Sequence, residues 1–250
     1  MRWFTKRHKV PVSALRITQD IHTHLLPGVD DGRYTPEEAA EALAAMYKRG
    51  VRHVCFTPHI IAGLYDNTPA KLNAAFDGFV NCIGEGIPLP EISLGAEYMV
   101  DDTLLCHLGK GVSDMLTVPG DRVLIEMSYY GISPQIFDVV SCLSEMGYRP
   151  VLAHPERYLY MDGQIDFFDK LFGMGCVLQL NLFSVTGAYG EASVRIMKDL
   201  MERQYYRHVG TDTHSLRQLE TIYESRIDEK TALAGEFASL WELADPDEDQ

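Results

Sequence analysis

The most informative part of the chain runs Asp20-Ile21-His22-Thr23-His24-Leu25-Leu26-Pro27-Gly28-Val29-Asp30-Asp31-Gly32. Its first half predicts a strand that ends in two histidines two residues apart. In a strand, residues i and i+2 point to the same side, so both imidazoles can reach one ion. The two aspartates follow in a turn flanked by glycines, which allow close approach of the backbone. The segment therefore predicts a strand whose carboxyl end carries metal ligands.

Outward from this segment, short apolar runs alternate with helical patterns. Further strands are predicted at 51–57, 92–98, 123–127, 151–154, 177–182 and 208–212. Helices are predicted to begin at Thr35-Pro36, with a capping box completed by Glu38, at Thr68-Pro69 and at Ser133-Pro134, the last ending at Gly147. Others are predicted between the strands at 151–154 and 177–182, over 189–203, and through most of the chain from Ser215.

Seven strands, each followed mostly by a helix, predict parallel β/α units. The fold class is therefore α/β, and the length suits a single-domain, closed or nearly closed (β/α)7 barrel with its chemistry at the carboxyl ends of the strands. A doubly wound open sheet is the alternative, although no glycine-rich phosphate loop follows the first strand.

Composition limits the function classes. The chain has 250 residues, is 46% hydrophobic and carries a formal net charge of −14. That charge argues against a nucleic-acid partner, which needs a positive groove. The chain has no apolar run of about 18 residues, and its N-terminal residues lack the long apolar region and small-residue cleavage site typical of a secretory signal. Its five scattered cysteines, without a C-x-x-C pair, predict small core residues in a reducing cytoplasm.

The two ends differ from the middle. Residues 1–17 form a basic arm with five basic side chains and no acid, which we expect to be disordered. In the alternative, Trp3 and Phe4 give this arm a weak contact with an anionic membrane surface. The domain is predicted over residues 18–243, followed by a solvated acidic tail at 244–250.

Nine histidines and carboxylates fall at predicted strand ends: His22, His24, Asp31, His59, Glu97, Glu126, His154, Asp212 and His214. Each alone has an ordinary explanation, such as a turn aspartate or a hydrogen-bonded histidine. Parallel strands would bring all nine to one rim, where burying so many charges without compensation is prohibitive. Metal ions resolve this conflict. Imidazoles and carboxylates without a thiolate favour Mn²⁺, Fe or Zn²⁺, and the number of ligands exceeds one site.

These residues also carry a family resemblance. The segment at 20–32 resembles the opening motif of the bacterial PHP (polymerase and histidinol phosphatase) superfamily. The motifs Thr57-Pro58-His59, Gly95-Ala96-Glu97-Tyr98, Leu124-Ile125-Glu126, Ala153-His154-Pro155-Glu156-Arg157-Tyr158 and Thr211-Asp212-Thr213-His214 follow in the same order and spacing. More narrowly, the chain is similar over residues 18–243 to the manganese-dependent tyrosine-protein phosphatases of capsule and exopolysaccharide operons. Ile60 departs from that family, which often has a second histidine there.

The resemblance implies a distorted seven-stranded barrel with up to three divalent ions, Mn²⁺ first and Fe or Zn as alternatives. One ion would take His22, His24, Glu97 and Asp212, a second Asp31, His59 and His214, and a third Glu126 and His154 with Glu97 bridging. Asp31 and His59 are expected to be catalytic as well as ligands. Arg157 is expected to be catalytic too and to bind the substrate phosphate, because its planar fork matches two oxygens. A salt bridge with Glu156 is the other interpretation of Arg157.

The implied activity is that of a protein-tyrosine-phosphatase that hydrolyses phosphotyrosine with metal-activated water. The C-x5-R pattern of cysteine phosphatases is absent. The implied substrate is the tyrosine-rich C-terminal tail of a bacterial tyrosine autokinase that controls polysaccharide synthesis. Two alternatives stay open: a histidinol-phosphatase-like enzyme for small phosphomonoesters, and a non-catalytic, metal-stabilised scaffold that binds the kinase. A nuclease-like role is disfavoured by the net charge.

Overall fold

A computed structural model describes residues 9–83, 86–111, 114–228, 232, 240 and 242–243. The strands are β1 (Lys9–Pro11), β2 (Leu15–Arg16), β3 (Gln19–Thr23), β4 (His53–Phe56), β5 (His59–Ile60), β6 (Glu91–Leu94), β7 (Glu97–Met99), β8 (Arg122–Glu126), β9 (Arg149–Ala153), β10 (Val177–Asn181), β11 (Tyr206–Gly210), β12 (Arg226–Asp228) and β13 (Glu242–Leu243). The α-helices are α1 (Pro36–Lys48), α2 (Pro69–Cys82), α3 (Asp102–Gly109), α4 (Ile136–Glu145), α5 (Ile165–Gly173), α6 (Glu191–Glu202) and α7 (Leu216–Glu224). Short 3-10 turns occupy Val12–Ala14, Pro155–Arg157, Leu159–Met161 and Leu182–Thr186.

Two parallel sheets form the wall of a barrel. One has the order β11-β10-β9-β8-β7-β5 and the other β3-β4-β6. The chain runs directly from β4 into β5 and from β6 into β7, so these pairs are two interrupted strands that join the sheets. Opposite them, Thr23 forms a parallel bridge with Thr213, and the amide of Asp212 donates to the carbonyl of His22 at 2.8 Å. Seven strands thus close a distorted (β/α)7 barrel, and the predicted fold class is confirmed.

Alternation of side chains along the strands separates two apolar layers. Val123 and Ile125 of β8 pack in the large core beneath the helices, whereas Leu124 belongs to a second, smaller cluster. That cluster consists of Ile21, Cys55, Val118, Leu124, Val151 and Ala153. Successive strand residues point to opposite faces, so these side chains fill the barrel interior below the strand ends. The ends above them are left free for polar side chains.

Helix boundaries follow local chemistry. Thr35 caps α1, and its hydroxyl accepts from the amide of Glu38 while the Glu38 carboxylate accepts from the amide of Thr35, which confirms the predicted capping box. The helix α3 was not predicted. It begins where the Asp101 carboxylate accepts from the amide of Leu104 at 2.8 Å. Such capping satisfies backbone N–H groups that have no partner within the first turn of a helix. The helix is too short for its apolar residues to show a clear helical period.

The structure departs most clearly from the predicted elements at three places. The second strand breaks at Thr57-Pro58, because proline has no amide hydrogen for the ladder. The third breaks at Gly95-Ala96, where a Cβ on Gly95 would lie 3.1 Å from Cys55 Sγ. Beyond α7 the chain was expected to be mostly helical, but β12 pairs antiparallel with β1.

The expectation of a disordered arm is wrong for residues 9–16. Val12 and Leu15 are buried, and β2 pairs with β13. The burial of two apolar side chains holds this part of the arm on the barrel. Residues 1–8, with Trp3 and Phe4, and the tail at 244–250 lie outside the described residues, so the membrane contact and the domain boundaries stay predictions. In the described parts of the chain, no helix is long and apolar enough to cross a membrane.

The cysteines divide by location. All five are free. Cys55 and Cys176 are buried as predicted, whereas the prediction is wrong for Cys82 and Cys106, which are exposed. Both exposed cysteines lie on helices, where an apolar sequence context does not reveal which side chains face the barrel.

Candidate metal and phosphate site

The structure brings the nine predicted ligand residues together at the carboxyl ends of the strands. His22, His24, Glu97, Glu126, His154 and Asp212 are buried. Asp31, His59 and His214 lie further out, with side chains 47%, 12% and 24% exposed. The cluster therefore has a closed floor and an open mouth, as a site for a reaction with a solvent-borne substrate requires.

Four groups of side chains have ligand atoms within 4.8 Å of one another: His24, Asp31, His59 and His214; His22, His24 and Asp212; His22, Glu97 and His154; and His59, Glu97 and Glu126. Neighbouring groups share members, and Glu97 belongs to two of them. The three ligand sets implied by the resemblance match these four groups only in part. His24 additionally joins Asp31, and Glu126 and His154 lie in separate groups linked through Glu97. A multinuclear site can be built from such shared ligands.

The backbone at the strand ends is adapted to close approach. His154 and Asp212 adopt φ angles of 33° and 52°, a left-handed conformation that non-glycine residues rarely take. A Cβ on Gly210 would lie 2.4 Å from the Cβ of His22, and one on Gly32 would lie 2.2 Å from the carbonyl oxygen of His24. Glycine at these two positions lets neighbouring segments reach the histidines.

Three polar residues that were not predicted as site residues orient the cluster. The Nδ1 of His22 donates to Gln179 Oε1 at 2.9 Å, and the amide of His154 donates to the same oxygen at 3.2 Å. The Nδ1 of His24 donates to Asp30 Oδ2 at 2.8 Å. Asn181 donates to Asp212 Oδ2 at 3.0 Å. A glutamine in the apolar strand at 177–182 is the sequence signal that could have indicated Gln179.

The electrostatics of the cluster favour bound positive charge. Burial alone would lower the pKa of His24, yet Asp30 and the other carboxylates raise it well above its ordinary value. Burial would raise the pKa of Glu97, but His22 and His59 hold it well below its usual range. Burial and the Glu97 carboxylate raise the pKa of Glu126. Carboxylates this deep need cations beside them.

The donor set fits divalent metal ions. Among the described residues, His59 Nδ1, Glu126 Oε1 and His154 Nδ1 are buried without a hydrogen-bond partner. His59 Nδ1 and Glu126 Oε1 nevertheless lie 3.0 Å apart. Burial lowers the pKa of His154 to about 4, so its imidazole is neutral and able to coordinate. Imidazoles and carboxylates without a thiolate suit Mn²⁺, Fe and Zn²⁺.

Arg157 borders the mouth of the cluster. Its guanidinium donates to Asp212 Oδ2 and lies between the rings of Tyr129 and Tyr189, 4.8 and 4.7 Å from their centroids. The side chain is 23% exposed. A planar cation held in this way at the solvent edge can bind a phosphate.

The alternative salt bridge between Arg157 and Glu156 is wrong. Glu156 points into the protein and is fully buried. Its carboxylate accepts from the amide of Asn181 at 2.9 Å, from the hydroxyl of Ser184 at 2.8 Å and from that of Tyr206 at 2.7 Å. The 3-10 turn at Pro155–Arg157 thus sends the carboxylate inward, while the guanidinium reaches the mouth.

Comparison with known proteins is consistent with this geometry. A family model described as "Capsular polysaccharide synthesis, CpsB/CapC" matches residues 18–223, most of the chain. The chain belongs to this family. Among CpsB/CapC relatives, it is 31% identical over 204 residues to the tyrosine-protein phosphatase CpsB of Streptococcus pneumoniae, covering 79% of this chain and 83% of that protein. It is 28% identical over 200 residues to the tyrosine-protein phosphatase YwqE of Bacillus subtilis, covering 79% and 78%.

Solved structures agree with the fold. The chain matches a structure from work on YwqE of Bacillus subtilis and CpsB of Streptococcus pneumoniae, described as unique metal-dependent tyrosine phosphatases. The TM-score is 0.71 at 27% identity, covering 86% of this chain and 84% of the other. A histidinol phosphate phosphatase from Lactococcus lactis matches with a TM-score of 0.52 at 13% identity, covering 87% and 94%. At that identity the second match shows a shared fold alone.

Proposed function

We propose that this chain is a metal-dependent protein-tyrosine-phosphatase. The observation that carries the proposal is the convergence of nine histidines and carboxylates beneath a solvent-edge arginine, in a chain that belongs to the CpsB/CapC family. Its relatives from Streptococcus pneumoniae and Bacillus subtilis are named tyrosine-protein phosphatases. The reaction is hydrolysis of a phosphomonoester: water attacks phosphorus, the bond from phosphorus to the phenolic oxygen breaks, and tyrosine and phosphate leave.

The nine clustered side chains would hold the ions: His22, His24, Asp31, His59, Glu97, Glu126, His154, Asp212 and His214. We infer manganese as the native metal, from the resemblance and from the donor set. When bound, such ions supply Lewis-acid charge that lowers the pKa of water and offsets charge on the phosphoryl oxygens.

The remaining work falls to side chains at the mouth. Arg157 binds two phosphoryl oxygens and orients the ester, with the two tyrosine rings preventing its guanidinium from turning away. Asp31 stays ionised at neutral pH: burial would raise its pKa, but His214 and His59 lower it. Its carboxylate can therefore accept the proton of the attacking water. The phenolate has an intrinsic pKa of about 10 and leaves without a strong acid.

We further infer the cellular role from the family resemblance. The substrate is the tyrosine-rich C-terminal tail of a bacterial tyrosine autokinase, and its dephosphorylation regulates capsule or exopolysaccharide synthesis. The enzyme acts in the cytoplasm, with its catalytic unit at residues 18–243. Dephosphorylation of a purified autokinase tail by this protein, with a catalytically dead variant as control, tests the substrate.

Turnover of a phosphotyrosine peptide by the manganese-loaded protein tests the activity. We expect phosphate release that stops on chelation and falls about 100-fold in Arg157→Ala, the scale seen when one transition-state donor is removed. Metal content measured by elemental analysis should persist in that variant. Arg195→Ala is the matched control, because Arg195 pairs with Asp162 on the exposed surface.

Two results would contradict the proposal. A clear preference for histidinol phosphate over the peptide would make the enzyme a small-molecule phosphatase. Metal-loaded protein that cleaves neither ester would favour a binding scaffold.

A further inference from the structure

Tyr129 lies directly against the ligand cluster. It follows the end of β8 by three residues, and its ring stacks on the imidazole of His154 with centroids 5.8 Å apart and planes inclined by 22°. Its hydroxyl lies 3.4 Å from His154 Nε2. The same ring packs against Tyr158 at 5.7 Å, and the Tyr158 hydroxyl accepts from the amide of Met127. Tyr129 is therefore held in place on the side facing the protein.

The other neighbour of Tyr129 is the cation at the mouth. The guanidinium of Arg157 lies 4.8 Å from the centroid of the Tyr129 ring, and Tyr189 covers it at 4.7 Å. Tyr129 thus touches both parts of the site that would engage a phosphate: a proposed ligand and the proposed clamp.

Despite these contacts, 44% of Tyr129 is exposed. A phosphate ester that reaches Arg157 and the cluster must leave its organic group directed to solvent, past the residues that border the mouth. An aromatic group there can pack edge-on against Tyr129, which a saturated group of the same size does less well.

We propose that Tyr129 is a specificity-determining residue that selects esters of aromatic alcohols. This inference rests on the proposed function and deepens it. Arg157 and the ions would recognise any phosphomonoester, whereas Tyr129 recognises the aryl group. The preference for phosphotyrosine over alkyl phosphates then comes from one ring rather than from the phosphate-binding groups.

Tyr65 is a competing candidate for this role. Its ring stacks on His59 with centroids 5.6 Å apart and planes inclined by 10°. His59 and His154 contact different oxygens of Glu97, so the two tyrosines cover different ligands. Tyr129 is favoured because it also contacts the cation that would fix the orientation of the ester.

Binding of two phosphonates to the manganese-loaded protein, measured by calorimetry, tests the proposal. Phenylphosphonate and cyclohexylphosphonate have the same phosphonate group and similar size, but only the first is aromatic. We expect the native protein to bind phenylphosphonate about 3- to 10-fold more tightly, the range of aromatic pair energies. Tyr129→Leu and Tyr129→Met should abolish this ratio by weakening phenylphosphonate more than cyclohexylphosphonate, while Tyr129→Phe keeps it. Tyr130→Leu is the matched control, because the adjacent Tyr130 is fully exposed.

Three results would overturn the proposal. Equal affinity of the native protein for both phosphonates would show that no aryl preference exists. Equal weakening of both ligands in Tyr129→Leu would show that the ring only supports Arg157. If Tyr65→Leu loses the difference in affinity between the two phosphonates and Tyr129→Leu keeps it, the role belongs to Tyr65. Because binding is measured without turnover, failure to hydrolyse a phosphotyrosine peptide would refute the proposed activity and leave this test intact.

Discussion

Single hydrogen bonds determine how the buried histidines present their nitrogens. Gln179 Oε1 can only accept, so His22 must carry its proton on Nδ1 when the two lie 2.9 Å apart. The Nε2 atom is then directed to Glu97, at 3.1 Å. Asp30 acts in the same way on His24. These partners fix the tautomers before any ion binds, which raises affinity by removing a reorganisation cost.

Gln179→Leu tests this role of the amide oxygen. The substitution removes the acceptor for His22 and for the amide of His154, so we expect metal affinity to fall about 10- to 100-fold. Competition with a calibrated chelator measures this. Gln164→Leu, at an exposed position before α5, is the control and should leave affinity unchanged. Native-like affinity in Gln179→Leu would contradict the assignment.

At the scale of the elements, the barrel joins β3 to β11 at very short range. Gly210 ends β11, and its neighbours include the Cβ and amide of His22. A side chain at this position would push β3 outward at the point where its two histidines begin. The closeness of the two strands is therefore part of the site geometry as well as of the fold.

We predict that Gly210→Ala is destabilising and distorts the site. The new methyl group would lie 2.4 Å from the Cβ of His22, and overpacking of this kind costs about 1–3 kcal/mol. Urea unfolding measures the loss, and chelator competition should show weaker metal binding.

Gly173→Ala is the matched control, because Gly173 ends α5 with nothing within 4 Å of a built Cβ. That variant should be neutral or slightly more stable, by about 0.5 kcal/mol. Equal stability of the two variants would refute the close-approach argument.

At the scale of the whole molecule, the stability of the barrel depends on pH through a histidine outside the site. Burial lowers the pKa of His208 to about 4, and Arg122 and Arg207 add to the shift. The unfolded chain binds this proton at an ordinary pKa of about 6.5. Between those two values the unfolded state binds more protons than the folded state. The contribution of His208 to the free energy of unfolding is therefore fully present above about pH 6.5 and is lost as the pH drops toward 4.

His208→Gln should reduce this pH dependence. We expect the free energy of unfolding of the native protein to fall by about 2 kcal/mol more between pH 7 and pH 5 than that of the variant. Urea titrations at pH 7, 6 and 5 provide the comparison. His107→Gln, on the exposed side of α3, is the control and should follow the native protein. Parallel curves for the native protein and His208→Gln would exclude His208 as the source.

Metal binding should also stabilise the whole barrel, because the ligands come from strands along its full circumference. An ion at 100 times its dissociation constant adds about 2.7 kcal/mol. For a chain of this length that corresponds to a rise in Tm of about 5–10 °C. Calorimetry before chelation, after chelation and after return of Mn²⁺ measures it. A Tm that chelation leaves unchanged would contradict a metal site in this cluster.

Much of this organisation could be predicted from local sequence. The alternation of apolar runs and helix starts predicts a seven-stranded α/β barrel, since each element is encoded by its own periodicity and caps. The nine ligand positions stand at strand ends, and parallel strands bring their carboxyl ends to one rim. The short helix α3 and the pairing of β1 with β12 could not be predicted, because the first is too short for a period and the second joins residues from opposite ends of the chain.

Amino-acid order by itself determined the fold class, the family resemblance and the positions of the histidines and carboxylates. Tertiary structure decided which of these side chains share a group, that Arg157 pairs with Asp212 rather than Glu156, and that Gln179 and Tyr129 border the cluster. The physical reason is distance along the chain. Periodicity and capping act within a few residues, whereas these contacts join segments that only closure of the barrel brings together.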